Sequence, residues 1–591
     1  MTSETESRVY EFGKFRVYPV HRVLLGDGKP ITLAPKSFDL LSVLVQHHGK
    51  LLNKEFLLET VWSDAAVEEN SIAKAISEIR KALGDTSKSP RFIATIAKHG
   101  YRFLPQVIVR SGPLAAATAP STAELRIAGA RVTSLAVLPF IWLTPITNDT
   151  LLGVGMADAL ITKLSSLPQI VVRPTASILK YTAAHRDPVS IATEMGVDFV
   201  LSGSLQQIDD RLRLTIQMVT PDQKRCVWAD SFEARFTSLF EVEDSVSSRV
   251  ANALALKLTP AQKQLLGRRN TSDGEAYRAY LRGRYFWSEQ TFTSALKAID
   301  CFRESLALDP NYSVAWAGMA DSYVLIGVSG ALTGGLPADQ IWPHAKNASL
   351  RAIALHDSQT EAHAALGFIN FFYEHDEQAA HREFDRALAL QPHYASAHHG
   401  RSLAYGFSGK HDEALEAIEQ AIAIEPLSPI FNANKGYLLY IARRYDDAVA
   451  QLRKAIALDE TFAATHYRLS LPLIAQRNYD DATQHLQQAL ALSNESPHVL
   501  GALGYIYGLT KQAERAKEIF ERLNRLARTR HVSDATFAEV QVGLRDYDNA
   551  WISLNRAVQN RAPAVMAFRV DPRYEELTAL PRFADLLLQH E

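Results

Sequence analysis

The chain has 591 residues, 47% of them hydrophobic and 22% charged, with a formal net charge of −2. At about 100–200 residues per domain, this length predicts three to five globular domains, and near-neutrality excludes a whole-chain field drawing it to nucleic acid or membrane. Two cysteines, Cys226 and Cys301, exclude a disulfide framework and fit a reducing cytoplasm, where both are expected as small core residues.

The charge is uneven. Residues 1–106 carry fifteen Lys/Arg against twelve Asp/Glu, leaving +3, and the remainder is −5. A basic N-terminus on a neutral chain points to a polyanion partner, although chance fluctuation gives the same count. The opening MTSETESRVYEF has no apolar stretch of a signal peptide. The most apolar run, VTSLAVLPFIWLTPITN (132–148), is shorter than the ~20 residues of a bilayer span and is broken by Pro139 and Pro145. It is expected as a buried strand and a loop, in a cytoplasmic protein with no membrane segment.

The first domain, 8–106, opens with short alternating strands, YEFGKFRVYPVHRVLLGDGKPITL. PKSFDLLSVLVQHHGK follows as a helix with Pro35 in its first turn and Gly49 at its end. NKEFLLETVW gives a second, with Asn53 as N-cap, and VEENSIAKAISEIRKALGD a third, ending at Gly84. On the third helix Ile72, Ile76, Ile79 and Leu83 form one narrow apolar stripe, opposite Asn70, Lys74, Ser77, Glu78 and Lys81. TIAKHGYRF then reads as a basic hairpin, with Ile96, Tyr101 and Phe103 expected to pack on the helices. Strands, three helices and a hairpin make a winged helix.

These residues resemble the OmpR/PhoB-type winged-helix DNA-binding domain over about a hundred positions. The resemblance implies that double-stranded DNA is the partner, that the third helix reads bases and that the hairpin grips phosphates. Carried onto this chain, Lys74 is placed for base edges or phosphate, Asn70 and Ser71 sit at the entering end and Ser77 lies on the same face, while Arg80 and Lys81 suit phosphates. On the hairpin, Thr95, Lys98 and Arg102 become backbone contacts and Gly100 permits the turn; His99 is left open. The loop 63–69 faces RNA polymerase in this family, and dimers form head to tail on direct repeats. Ser77 and Glu78 stand where relatives often carry arginine. Glu78 is expected as a solvated residue or an acceptor from a cytosine amino group. No receiver domain precedes the module, so aspartyl phosphorylation is not the expected input.

Residues 107–130, rich in Ala, Pro, Thr and Ser, read as a linker. Residues 131–262 alternate strand and helix, then give three consecutive strands from Asp198 to Ala234 and a closing helix. This α/β order resembles the TolB-like domain that lies between a winged helix and helical repeats in CadC-like bacterial regulators.

From 272 to 562 the pattern is helical and periodic. Ala414, Ala448, Ala482, Ala516 and Ala550 recur every 34 residues; Ala421, Ala455, Ala489 and Ala557 follow seven residues after, with Leu523 in their place in one unit. Ile418, Leu452, Leu486, Phe520 and Leu554 lie between. Small residues let two helices approach, and large ones fill the gap to the next pair. These are the positions of the tetratricopeptide repeat (TPR). An insertion near 327–343, rich in Gly and Pro, is expected as a loop, and 563–591 as a capping segment. Such repeats bind proteins or peptides along their inner face, where His399, Tyr437, Tyr440, Tyr467 and Tyr505 are expected. Ordinary packing within the repeats accounts for all five equally well.

No catalytic constellation stands out. GFSGK (406–410) lacks the first phosphate-loop glycine, HDEQAAH (375–381) has the wrong spacing for a zinc helix, and His393, His398 and His399 read as surface or groove residues. No enzyme, cofactor or metal is expected. The chain is therefore read as multidomain: an α+β winged helix, an α/β TolB-like domain and an all-α TPR solenoid. Its expected function is a DNA-binding transcriptional regulator whose later regions sense a signal or bind partners. A second reading is a TPR scaffold that uses the winged helix for protein contacts.

Overall fold

The computed structural model describes residues 8–18, 23–26, 29–31, 33, 35–61, 70–86, 89–96, 99–111, 133–143, 150–181, 187–208, 211–221, 225–235, 239–254, 256, 258–260, 262, 266, 271–333, 336–578 and 580–583. The chain divides into two compact units, 1–130 and 131–591.

The first unit begins with an antiparallel meander of β1 (Arg8–Phe12), β2 (Phe15–Tyr18), β3 (Val23–Gly26) and β4 (Lys29–Ile31). Then come α1 (Pro35–Gln46), the short β5 (Leu51–Leu52), α2 (Lys54–Val61), α3 (Asn70–Leu83) and the hairpin β6 (Ile93–Ile96) and β7 (Gly100–Phe103). Asn53 caps α2 by accepting the Phe56 N–H at 2.8 Å. Gly49 and Gly84 take φ of +77° and +66° where α1 and α3 end. The stripe Ile72, Ile76, Ile79 and Leu83 is buried with Phe38, Leu40, Leu41 and Leu44 of α1. Phe12, Phe15, Phe92 and Phe103 form an edge-to-face cluster that fixes the hairpin to the meander, with Phe103 4.8 Å from Phe12. A further strand, β8 (Ile108–Ser111), pairs antiparallel with β1 and extends the meander inside residues expected as linker.

The second unit opens with β9 (Thr133–Val137), β10 (Ile141–Trp142), α4 (Thr150–Ser165), β11 (Ile170–Val172), α5 (Thr175–Ile178) and α6 (Pro188–Met195). The three expected strands follow as β12 (Phe199–Ile208), β13 (Arg211–Thr220) and β14 (Arg225–Arg235), then α7 (Leu239–Ala253). The sheet order is β11-β9-β12-β13-β14, with β10 beside β12. β9 pairs parallel with β11 and β12, so α4 and α6 are crossovers, whereas β12 to β14 form an antiparallel meander. Neither cysteine is a core residue: Cys226 is exposed on β14 and Cys301 half-buried.

Eight helix pairs follow among the described residues. They are α8 (Gly274–Ser288) with α9 (Phe292–Leu308), α10 (Ser313–Thr333) with α11 (Trp342–Leu355), α12 (Thr360–Phe372) with α13 (Glu377–Leu390), and α14 (Ala395–Phe407) with α15 (His411–Ile424). Then come α16 (Pro429–Ile441) with α17 (Tyr445–Leu458), α18 (Ala463–Ala475) with α19 (Tyr479–Leu492), α20 (Pro497–Leu509) with α21 (Ala513–Leu526), and α22 (Asp534–Gly543) with α23 (Tyr547–Gln559). α14, α16, α18 and α20 start 34 residues apart. The periodic alanines are wholly buried, and so are Ile418, Leu452 and Leu486. Phe520 is half-buried; Ile519 takes the inner position in its unit. The expected insertion is partly helix, because α10 runs through Gly327, which packs on the buried Trp342 ring.

The turn inside each of the last five pairs puts one residue in left-handed backbone: Gly409, Arg443, Arg477, Lys511 and Arg545, again 34 apart. A second device joins successive pairs. Each of Trp316, His363, His398, Asn432 and His466 is fourth in its helix and donates a side-chain N–H to the carbonyl six residues back, always at 3.0 Å. His398 therefore closes a bend between two pairs.

The α/β region is fastened to the repeats. Arg284 of α8 holds Asp158 of α4 through two bonds of 2.7 and 3.2 Å, and Thr175 also donates to Asp158. Arg173, just after β11, donates to the Ala423 and Ile424 carbonyls at the end of α15. Farther on, α10 touches α20, so the superhelix closes on itself.

Candidate nucleic-acid interface

α3 presents two unlike faces. Its isoleucines are inside, while Ala73, Lys74, Ser77 and Lys81 are exposed along one side and Ser71 is half-buried. This outer face is short-chained except for its two lysines, so a backbone or base edge can come close. Asn70 begins the helix; its side chain and all of Lys98, with the loop 63–69, lie outside the described residues. Glu78 fits neither expectation: it accepts the Ser37 hydroxyl at 2.7 Å and ties α3 to the start of α1.

The structure brings Arg80 and Thr95 together rather than outward. Arg80 Nη2 donates to the Ile93 carbonyl at 2.8 Å and to Thr95 Oγ1 at 2.9 Å. The guanidinium thus joins the helix to the first hairpin strand. Lys81, one residue on, stays exposed. Arg102 is half-buried on the central strand of the three-stranded sheet β5-β7-β6, opposite Leu51 and Ala94. Gly100 has φ +133°, and a Cβ there would stand 2.0 Å from the Leu52 carbonyl oxygen. It is thus required by close approach to β5 as much as by the turn. Tyr101 and Phe103 are core residues, but Ile96 is exposed, and Ile93 anchors its strand instead.

One residue that organises this surface escaped sequence reasoning. Asp85 accepts backbone N–H groups from Thr86, Arg91, Phe92 and Ile93 at 2.7 to 3.1 Å. Burial alone would raise its carboxyl pKa, but the four donors outweigh it and hold the group below the usual carboxylate range. Asp85 therefore sets where the hairpin leaves α3. Its signal was the Gly-Asp after the helix, which read only as a stop.

The expected groove residues also meet a resident. Tyr440 is wholly buried and donates to Asp571 Oδ1 at 2.7 Å. Arg573 clasps Asp571 through Nε and Nη2 and Glu539 through Nη1. Tyr467 and Tyr505 are buried, and the Arg573 charge acts on both. Tyr437 is half-buried, 5.9 Å from Tyr440. His399 lies between Phe368 and Phe431, and its Nε2 accepts from Asn434 at 2.6 Å; burial, helped by Arg468, pushes its pKa down to about 3. The segment after α23 thus packs against the tyrosines expected to face a peptide.

Residues 28–103 match the family of transcriptional regulatory proteins, C terminal, and 131–249 match the second domain of HilA/YgeH-like transcriptional regulators. Residues 395–426 and 473–535 match tetratricopeptide repeats. The transcriptional regulator HilA of Salmonella typhi is 24% identical over 411 residues, 68% of each chain. The chain is a CadC/HilA-like transcriptional regulator. The transcriptional activator CadC of Escherichia coli K12 is 36% identical to this CadC/HilA-like regulator over 101 residues, 17% of this chain and 20% of that one. A Rhizobium meliloti protein whose name assigns it provisionally to the adenylate cyclases is 28% identical over 187 residues, 32% of each chain. The α/β order that resembles the TolB-like domain thus matches the second domain of HilA/YgeH-like regulators. No helix among the described residues of the regulator is long and apolar enough to cross a membrane.

Proposed function

We propose that this regulator reads promoter DNA with the outer face of α3 while the β6–β7 hairpin follows the adjacent phosphates. The observation that carries the reading is the division of α3 into a buried isoleucine stripe and an exposed Lys74-Ser77-Lys81 side. Lys74 and Ser77 contact base edges, with Asn70 and Ser71 at the entering end. Lys81, Lys98 and Arg102 hold phosphates. Arg80 and Thr95 keep the hairpin at the right distance from the helix. The 63–69 loop meets RNA polymerase, two copies bind head to tail, and the α/β and TPR regions receive a protein or peptide signal in the cytoplasm. The protein works as a regulator and not as a catalyst.

Selection of bound sequences from random duplex DNA by the full chain tests this reading. Enrichment of one motif, bound with affinity that falls linearly in log salt, is the expected outcome. K74A then relaxes the motif at one position, and K81A weakens all sequences alike. Absence of any enriched motif refutes the proposal.

A further inference from the structure

The walls between repeats are aliphatic, built of buried alanine, leucine and isoleucine. The inner face of the last four repeats is different. Tyr440, Tyr467, Tyr505, His498 and Glu539 give it polar tips on apolar bodies, the surface that binding sites use. Into this face the chain inserts its own Asp571-Pro572-Arg573-Tyr574. The insert has no repeat character: 563–567 and 572–574 are single 3-10 turns, followed by a four-residue helix. It is held the way a ligand is held. Arg573 meets Glu539 of the wall and Asp571 of its own segment, and the buried Phe568 and Tyr574 rings meet at 4.8 Å, tilted by 57°. Arg443 donates to the Val570 carbonyl at 2.6 Å, and Tyr547 to Glu576 at 2.7 Å. Glu539 is 2% exposed and has Arg573 as its cation. A carboxylate so buried needs a partner, and removing that partner is costly.

We infer that the inner face of repeats five to eight is a binding site for arginine-bearing peptides, occupied in this structure by the chain's own C-terminal segment. The site selects an arginine that brings its own carboxylate, because the planar fork joins Glu539 of the wall to Asp571 of the segment itself. A partner with the same pattern, an aspartate two residues before an arginine and aromatic residues on either side, enters by displacing the segment. The tethered segment competes at an effective concentration in the millimolar range, so the site is closed to weak ligands. The inference rests on the partner half of the proposed function; DNA binding does not depend on it.

A fluorescent peptide of the sequence FRVDPRYEELT (568–578) is titrated into the full wild-type chain and into R573A, with DNA binding measured on the same samples. In R573A the tethered copy loses its anchor and leaves Glu539 without a cation, which the peptide's arginine supplies. The variant is expected to bind the peptide at least about tenfold more tightly than wild type does, and the peptide with its second arginine replaced by alanine to lose at least about tenfold. Equal binding of both peptides, or none by a folded R573A chain, overturns the inference and leaves the DNA reading standing. Should R573A not fold, hydrogen exchange of wild type decides: excess peptide speeds exchange of amides 568–578, and unchanged rates overturn the inference.

Discussion

R80A separates a positioning residue from a phosphate contact. Arg80 spends its Nη2 on Ile93 and Thr95, so its loss removes two bonds between α3 and β6. Bonds from a charged donor are worth about 1.5–3 kcal/mol each when buried, and this half-exposed pair sums to about 2 kcal/mol. If binding has to restore the hairpin geometry, affinity falls by up to about thirtyfold. The fall is the same at every salt concentration, because no counterion is involved. A phosphate contact behaves otherwise. Each contributes about 0.9 to the slope of log affinity against log salt, or about 3.5-fold between about 50 and about 200 mM. Fluorescence anisotropy on one selected duplex, across that range, should give R80A the wild-type slope and K81A a slope lower by about 0.9. An R80A slope reduced as much as that of K81A would refute the assignment of Arg80 to the hairpin.

Other outcomes follow from the second unit. D158A leaves Arg284 buried alone and should cost about 3–5 kcal/mol in urea unfolding, most of it recovered in the D158L/R284M double variant; a loss under about 1 kcal/mol would contradict the fastening of α4 to the repeats. G409A should destabilise by about 1 kcal/mol and K511G stabilise by about as much, since both positions are left-handed and only glycine adopts that backbone freely; melting temperatures check the pair. His399 and His498, pushed by burial to pKa values of about 3, stay neutral in the fold while the unfolded chain titrates near 6.5. Their contribution is complete above about pH 6.5 and is lost as pH falls toward 3, at up to about 1.4 kcal/mol per pH unit for each. Imidazole resonances that titrate between pH 5 and 8 would contradict this.

The legible parts of the molecule were those written in periodicity. The isoleucine stripe of α3 and the 34-residue alanine series each follow from one local geometry repeated, so the sequence states them directly. What the sequence concealed depends on partners far along the chain. Arg80 is as basic as Lys81, and only the position of Ile93 and Thr95 decides that one turns inward. Tyr440 and Tyr467 are legible as aromatic positions of the repeat, but nothing local announces that Asp571 and Arg573 return to pack against them. Glu78 looked solvated because Ser37 stands 41 residues away. Asp85 was overlooked because four of its acceptor contacts are to backbone, which leaves no side-chain pattern to find.

The 3.0 Å bond at each bend is also a mechanical element. Tryptophan, histidine and asparagine all serve, because the carbonyl asks only for an N–H at a fixed reach. The series stops at Leu500, which has none to give, and there Arg530, just after the second helix of the same pair, takes the Asn494 and Glu495 carbonyls. Up to that point the array is braced joint by joint; beyond it, stiffness is borrowed from later segments. A pull on the C-terminus would therefore unzip the array from its last two repeats, while the earlier joints carry load as one spring.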